Sequence, residues 1–287
     1  MAPGTEVSAR PRAPSDDGMR ECNEYALPSQ ETSDPLAKID SECEQEMNRL
    51  SPPPFASLDD VRRAVDWALI TRRSVRAFLH TPVPREEIES ILDVARFSAT
   101  GVNMQPWHVH VVTGAMKSRL SAAIKEVNDD PGRSSVLEEP YDYYPREWIA
   151  PYLDRRRNVG WSLYGLLGIE KGDKERMHAQ HGRNYHFFNA PVGLFFTVDR
   201  VMGKGSLLDI GMFLQNIMIA ARARGLDTCP QQAFNKFHCV IADELSLPDK
   251  HMLVCGMSMG YADPECIENS LVTDRASVTD FTTFYKE

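Results

Sequence analysis

The segment SLLDIGMFLQNIMIAARAR, residues 206–224, has the length and composition of a helix but is apolar around nearly its whole circumference. A helix of that kind cannot rest one face on water and must be packed centrally among other elements. Ser206, with Asp209 three residues on, reads as its N-cap, and Gly225 as its stop. Two short apolar runs bounded by turn residues flank it, VGLFFTV at 192–198 and MLVCGMSMG at 252–260, consistent with buried strands. An apolar helix set between two buried strands points to an α+β fold, one sheet surrounded by packed helices.

The segments before it fit the same plan. Ser57 followed by Asp60 is a capping pattern that starts a helix through VRRAVDWALITRR. Pro84 suits a first helical position, and Ile88, Ile91, Leu92 and Ala95 follow at the spacing of one apolar helix face. HVHVVTG, from His108, alternates and reads as a strand. One domain over residues 58–287 accommodates these elements, because about 230 residues lie within the usual range for one domain.

Residues 1–57 read differently. The first 50 carry eleven Asp/Glu against five Lys/Arg, most of the net charge of −9, and show no sustained apolar period, so they are expected to form a disordered acidic tail. Neither a secretory nor a transit signal is evident, and no apolar run approaches a membrane span of about 18 residues, which leads to a cytoplasmic expectation. The six cysteines show no C-x-x-C pair and read as free thiols. Acidic charge without a basic stripe argues against nucleic acid and favours small-molecule partners.

Within RRSVRAF, three guanidinium groups (Arg72, Arg73, Arg76) surround the Ser74 hydroxyl. Such a set suits a phosphate monoester, since each planar fork pairs two oxygens and the hydroxyl adds a donor. A solvated or salt-bridged helix end accounts for it better if it stands alone. Further on, SATGVNMQPWHVHVV places Asn103 and Gln105 in a turn before a strand, where amides both donate and accept and suit a heterocycle with alternating N–H and C=O groups. An ordinary polar turn is the competing reading.

Taken together, RRSVRAF, then NMQPW, then a late strand and Arg275 resemble the FMN-dependent nitroreductase family, whose pattern runs RRSxRxF and then PSxxNxQPW. The resemblance extends from about residue 66 to the end. It implies a nitroreductase-like mixed sheet surrounded by helices, assembled as a homodimer. It further implies that Arg72, Ser74 and Arg275 bind the flavin phosphate, that Arg76 lies nearer the pyrimidine edge of the ring, and that Arg73 gives main-chain or ribityl contacts. Asn103 and Gln105 would address the ring and ribityl chain. The segment Pro230, Gln231, Gln232, Ala233 falls where the family lays backbone N–H groups against the ring. One departure stands out: Ala99-Thr100 replaces the family's Pro-Ser, which keeps the hydroxyl, adds a methyl and leaves the contacts of that turn open.

The implied activity is an oxidoreductase that takes hydride from NADH or NADPH and reduces nitroaromatic or quinone acceptors by a ping-pong mechanism. The alternatives are a non-catalytic FMN carrier or redox sensor and, within the superfamily, a reductive dehalogenase or a flavin-fragmenting enzyme. The aromatic-rich insertion 125–190 supplies either walls for planar acceptors or plain packing. Arg155 to Arg157 either attract nucleotide phosphates or bridge to acidic neighbours. His178, His181 and His186 lack an acidic or thiol companion at ligand spacing, and His108 and His110 read as packed or hydrogen-bonded strand residues, so no metal ligand is assigned.

Overall fold

The computed structural model describes residues 57–286; residues 1–56 of the expected acidic tail lie outside them. In chain order come α1 (Leu58–Thr71), α2 (Arg85–Ala95), β1 (His108–Thr113), α3 (Gly114–Asn128), α4 (Pro131–Ser135), α5 (Tyr152–Leu166) and α6 (Lys174–Gly182). There follow β2 (Val192–Asp199), α7 (Gly205–Ala223), β3 (Asp227–Gln231), α8 (His238–Leu245), β4 (His251–Gly260) and the short α9 (Val278–Phe281). The strands lie in the order β1-β2-β4-β3, all antiparallel. An isolated parallel bridge from Ser74 to Thr228 sets the arginine segment beside β3, while the four strands of the sheet, expected to be mixed, are all antiparallel.

Both faces of this sheet are covered, which is why β2 is apolar at consecutive positions rather than alternate ones. Val192, Leu194, Phe196 and Val198 face a core built with α2 and α7, while Phe195 faces a second core containing α3, α8 and Phe187, Phe188, Phe234 and Phe237. Two glycines allow that second core to approach the sheet. A Cβ at Gly193 would lie 2.3 Å from the Phe187 ring, and one at Gly256 would lie 2.4 Å from the Phe234 ring. Gly193→Ala is therefore expected to lower stability by about 1–3 kcal/mol, since the rings are packed and have nowhere to retreat. Urea unfolding checks this, and a midpoint equal to wild type would contradict it.

Four expectations are adjusted in detail. The Ser57 capping box forms, its Oγ accepting from Asp60 N at 3.2 Å, but the helix ends at Thr71, before the arginines. Pro84 is the N-cap of α2, one residue before its first turn. The helix read as starting at a Ser206 cap begins at Gly205 after Lys204, and Ser206 and Asp209 are buried inside it. The Asp209 carboxylate goes to a tertiary contact instead. Nor is α7 buried all round: Ile210, Phe213 and Ile217 are in the core, whereas Leu208 is 69% exposed.

Candidate active site

The chain after α1 is extended because its backbone is held from both sides. Val75 N donates to Thr228 O of β3 at 3.1 Å, and Phe78 N donates to Phe188 O at 3.1 Å. Asn269, buried behind it, accepts from Arg76 N at 3.0 Å and donates to Ala77 O at 2.8 Å and Asp263 O at 2.9 Å. Val75 and Ala77 are buried, so alternation directs Ser74 and Arg76 to the other side of the segment. The arginines are thus positioned by main chain.

Their charges are unbalanced. Arginines elsewhere on this side of the molecule find carboxylates: Arg222 with Asp227 at 3.3 Å, Arg224 with Glu87 at 3.0 Å, and Arg183 with Glu268. Among the described residues Arg72, Arg76 and Arg275 have none within ion-pair reach; Arg76 donates to Ser74 O and Arg275 to Thr273 and Asp274 carbonyls. Burial, and then the Arg275 charge facing it, hold the half-buried Arg72 guanidinium below its usual pKa. Two like charges held together without a counter-ion are what an anion would relieve. Arg73 is exposed and its charge acts on Asp227, already paired with Arg222. Below the cluster, burial pushes the Cys229 thiol up to about 11 against the opposing influence of Arg76, the Ser74 hydroxyl and Arg72, so it stays protonated at neutral pH and is no nucleophile.

At the other end of β3 opens a cavity of about 510 Å³. Pro230, Gln231 and Gln232 form its floor, Val254 and Cys255 of β4 adjoin them, Leu207, Ile210 and Leu214 of α7 make one wall, and Tyr141, Tyr143 and Tyr144 stand over it. The unusual apolarity of α7 is thereby explained, because part of its circumference lines a cavity rather than a core. Tyr141 donates to Val254 O at 2.6 Å and receives Gln232 Nε2 at 3.1 Å; burial pushes its phenol up to about 12. Gln231 is buried, its amide donating to Asn184 O at 2.8 Å and accepting from Ser258 Oγ at 2.5 Å. Both glutamine side chains are thus committed to the protein, and what the 230–233 segment offers the cavity is main chain. Ala233 packs against the second core.

Asn103 and Gln105 sit on a strained turn in which Val102, Asn103 and Gln105 have φ of 43°, 59° and 48°. Asp209 of α7 secures it, accepting from Thr100 Oγ1 at 2.9 Å and from Gly101 N at 3.2 Å, while Thr100 Oγ1 accepts from Gln105 N at 3.1 Å. Thr100 therefore does with its hydroxyl what the turn needs, and Ala99 is exposed. Both amides remain solvent-facing, and among the described residues this turn makes no hydrogen bond to the arginine segment. Asp209 and Asn269 escaped sequence reading because their partners lie far away in the chain.

Of the aromatic insertion, Tyr141, Tyr143 and Tyr144 line the cavity, whereas Tyr185, Phe187 and Phe188 are core. Arg156 stacks over Trp148 at 4.7 Å, and among the described residues Arg155 to Arg157 form no ion pair. His178 faces Asp129 and His181 faces Tyr185, so these histidines do not converge. A larger hollow of about 840 Å³, between β1, α2 and the start of α3, contains none of the predicted residues.

The fold coincides with that of a known family. Residues 69–261 match the model of the nitroreductase family. The chain is 43% identical over 219 residues to a 4-nitrobenzoate reductase of Pseudomonas putida, covering 76% of this chain and 94% of that one. An FMN- and NADPH-dependent nitroreductase from Sphigopyxis sp. strain HMH superposes with a TM-score of 0.75 at 35% identity, over 78% of this chain and 99% of that one. An FMN-dependent nitroreductase from Mycobacterium smegmatis, solved with NADPH, gives 0.75 at 27% identity, over 79% and 100%. The chain belongs to the nitroreductase family.

Proposed function

We propose that the chain is an NAD(P)H-dependent FMN nitroreductase acting on nitroaromatic acceptors, with quinones as a second acceptor class. The observation that carries this reading is the pairing, along one strand, of an uncompensated arginine cluster with a tyrosine-walled cavity. The residues fit FMN: Arg72, Arg275 and the Ser74 hydroxyl would hold the phosphate, Arg76 would set positive charge toward the ring, and main chain at 230–233 would meet its edge. Bound FMN supplies two-electron hydride chemistry. The protein's part is to orient the ring, to exclude water with Leu207, Ile210 and Leu214, and to give planar acceptors the tyrosine faces. The named relatives reduce nitroaromatics or are solved with NADPH, which supports the same donor and acceptor classes here.

The working unit in this proposal is a homodimer. Phe97, Val102, Met104 and Leu208 are all exposed in the single chain, on or beside the turn and α7, an amount of apolar surface that argues for a partner. A second copy there would bring Asn103 and Gln105 toward a neighbouring cavity, which accounts for their open position on the chain that carries them.

The test is direct. Purified protein releases FMN on denaturation and consumes NADPH only when a nitroarene such as 4-nitrobenzoate is present. Because donor and acceptor share one cavity, they bind alternately, and initial rates give parallel double-reciprocal lines. Protein that takes up no FMN overturns the reading, while intersecting lines overturn the ping-pong order alone.

A further inference from the structure

We propose that the chain binds a divalent first-row transition ion such as Zn²⁺ through His108, Asp199 and His251, where three neighbouring strands end together. His108 opens β1, Asp199 closes β2 and His251 opens β4. Antiparallel register sets Asp199 directly opposite His251 and His108 opposite Thr197. The three side chains each offer one ligand atom, and these atoms lie within 4.8 Å of one another.

Two of the three spacings, those to Asp199, fit coordination better than hydrogen bonding. His108 Nε2 lies 3.5 Å and His251 Nε2 3.4 Å from the same Asp199 Oδ1, beyond the usual N–H···O range of about 2.7–3.2 Å. A tetrahedral ion with bonds of about 2.0–2.1 Å spaces adjacent ligand atoms by about 3.3–3.4 Å. Asp199 Oδ1 is buried and accepts no hydrogen bond, although Lys250 Nζ approaches its other oxygen at 3.3 Å. A buried carboxylate oxygen without a donor is costly, and a cation between it and the two imidazoles satisfies it.

The surroundings orient the donors. Thr197 Oγ1 lies 3.2 Å from His251 Nδ1 and 3.0 Å from His110 Nε2, so the far nitrogen of His251 is occupied and Nε2 is turned to Asp199. Such outer partners fix ring orientation in metal sites. The His108 and His251 rings stack at 4.3 Å with 17° between planes, so their in-plane lone pairs run nearly parallel, and the more exposed His108 ring turns out of the stack to share one ion. His251 is sheltered at 8% side-chain exposure, whereas His108 is 44% exposed. That open side admits the ion and leaves a position for water, and a set of two imidazoles and a carboxylate prefers zinc-like ions to Mg²⁺ or Ca²⁺. None of the three residues lines the tyrosine cavity.

Untagged, metal-stripped holoprotein titrated with Zn²⁺ by calorimetry, and with Co²⁺ by visible absorption, tests this. One ion per chain is expected, with affinity falling about 10–100-fold in His108→Ala and in Asp199→Asn, and unchanged in His178→Ala and Cys239→Ser. The exposed position of His108 keeps that variant folded, which circular dichroism verifies. Zn²⁺ binding of equal affinity in wild type and His108→Ala, or no stoichiometric binding to wild type, overturns the proposal and leaves the cluster as hydrogen-bonded strand ends.

Discussion

Arg72→Ala strips the protein of most of its FMN affinity while leaving the flavin-free fold at least as stable as wild type. The two effects have opposite causes. Losing one charge-assisted bond to a sheltered phosphate costs about 1.5–3 kcal/mol, which is about 10- to 150-fold in dissociation constant. Without the phosphate, Arg72 and Arg275 repel, since the Arg275 charge disfavours the charged form of Arg72, so removing one guanidinium relieves the pair. Titration of stripped protein with FMN, followed by flavin fluorescence, measures the first effect and thermal unfolding of the stripped protein the second. Wild-type affinity in the variant would show that the phosphate lies elsewhere.

Asp209→Ala produces the largest expected loss of stability among single changes near the site, about 3 kcal/mol. Its carboxylate is buried and takes both the Thr100 hydroxyl and the Gly101 N–H. Truncation leaves those donors without a partner beside α7, and bonds to a charged acceptor are worth more than neutral ones. Thr100→Val keeps the Gly101 bond to Asp209 but removes the two bonds of the hydroxyl, to Asp209 and from Gln105 N, whereas Thr100→Ser should be near neutral. Urea unfolding of the three variants separates these cases. If Thr100→Val is as stable as wild type, the hydroxyl contributes nothing to holding this turn.

Much of this was legible from sequence wherever local chemistry and tertiary demand agreed. The Ser57 box, the apolar face of α2 and the strands at 192–198 and 252–260 are decided by neighbours in the chain, and they appear close to where they were expected. Reading failed where a tertiary partner outbid a local one. Asp209 has the spacing of a cap residue, yet two donors from a distant turn claim it, and the helix starts without it. The circumference of α7 was apolar for three reasons at once, core, cavity and open surface, and sequence shows only their sum. Gln231 and Gln232 were identified by position, but the commitment of their amides to Asn184, Ser258 and Tyr141 depends on segments that no spacing rule connects.

Asn269 carries a consequence for how the protein comes into being. It joins the arginine segment to the far end of the chain, 193 residues from Arg76 and 192 from Ala77, and Arg275 lies later still. Contacts between such distant residues are the slowest to form, because a long loop must close before they return any free energy. A nascent chain therefore exposes its arginines well before residues 263–275 can join them, and any pocket drawn from both segments is completed late in folding.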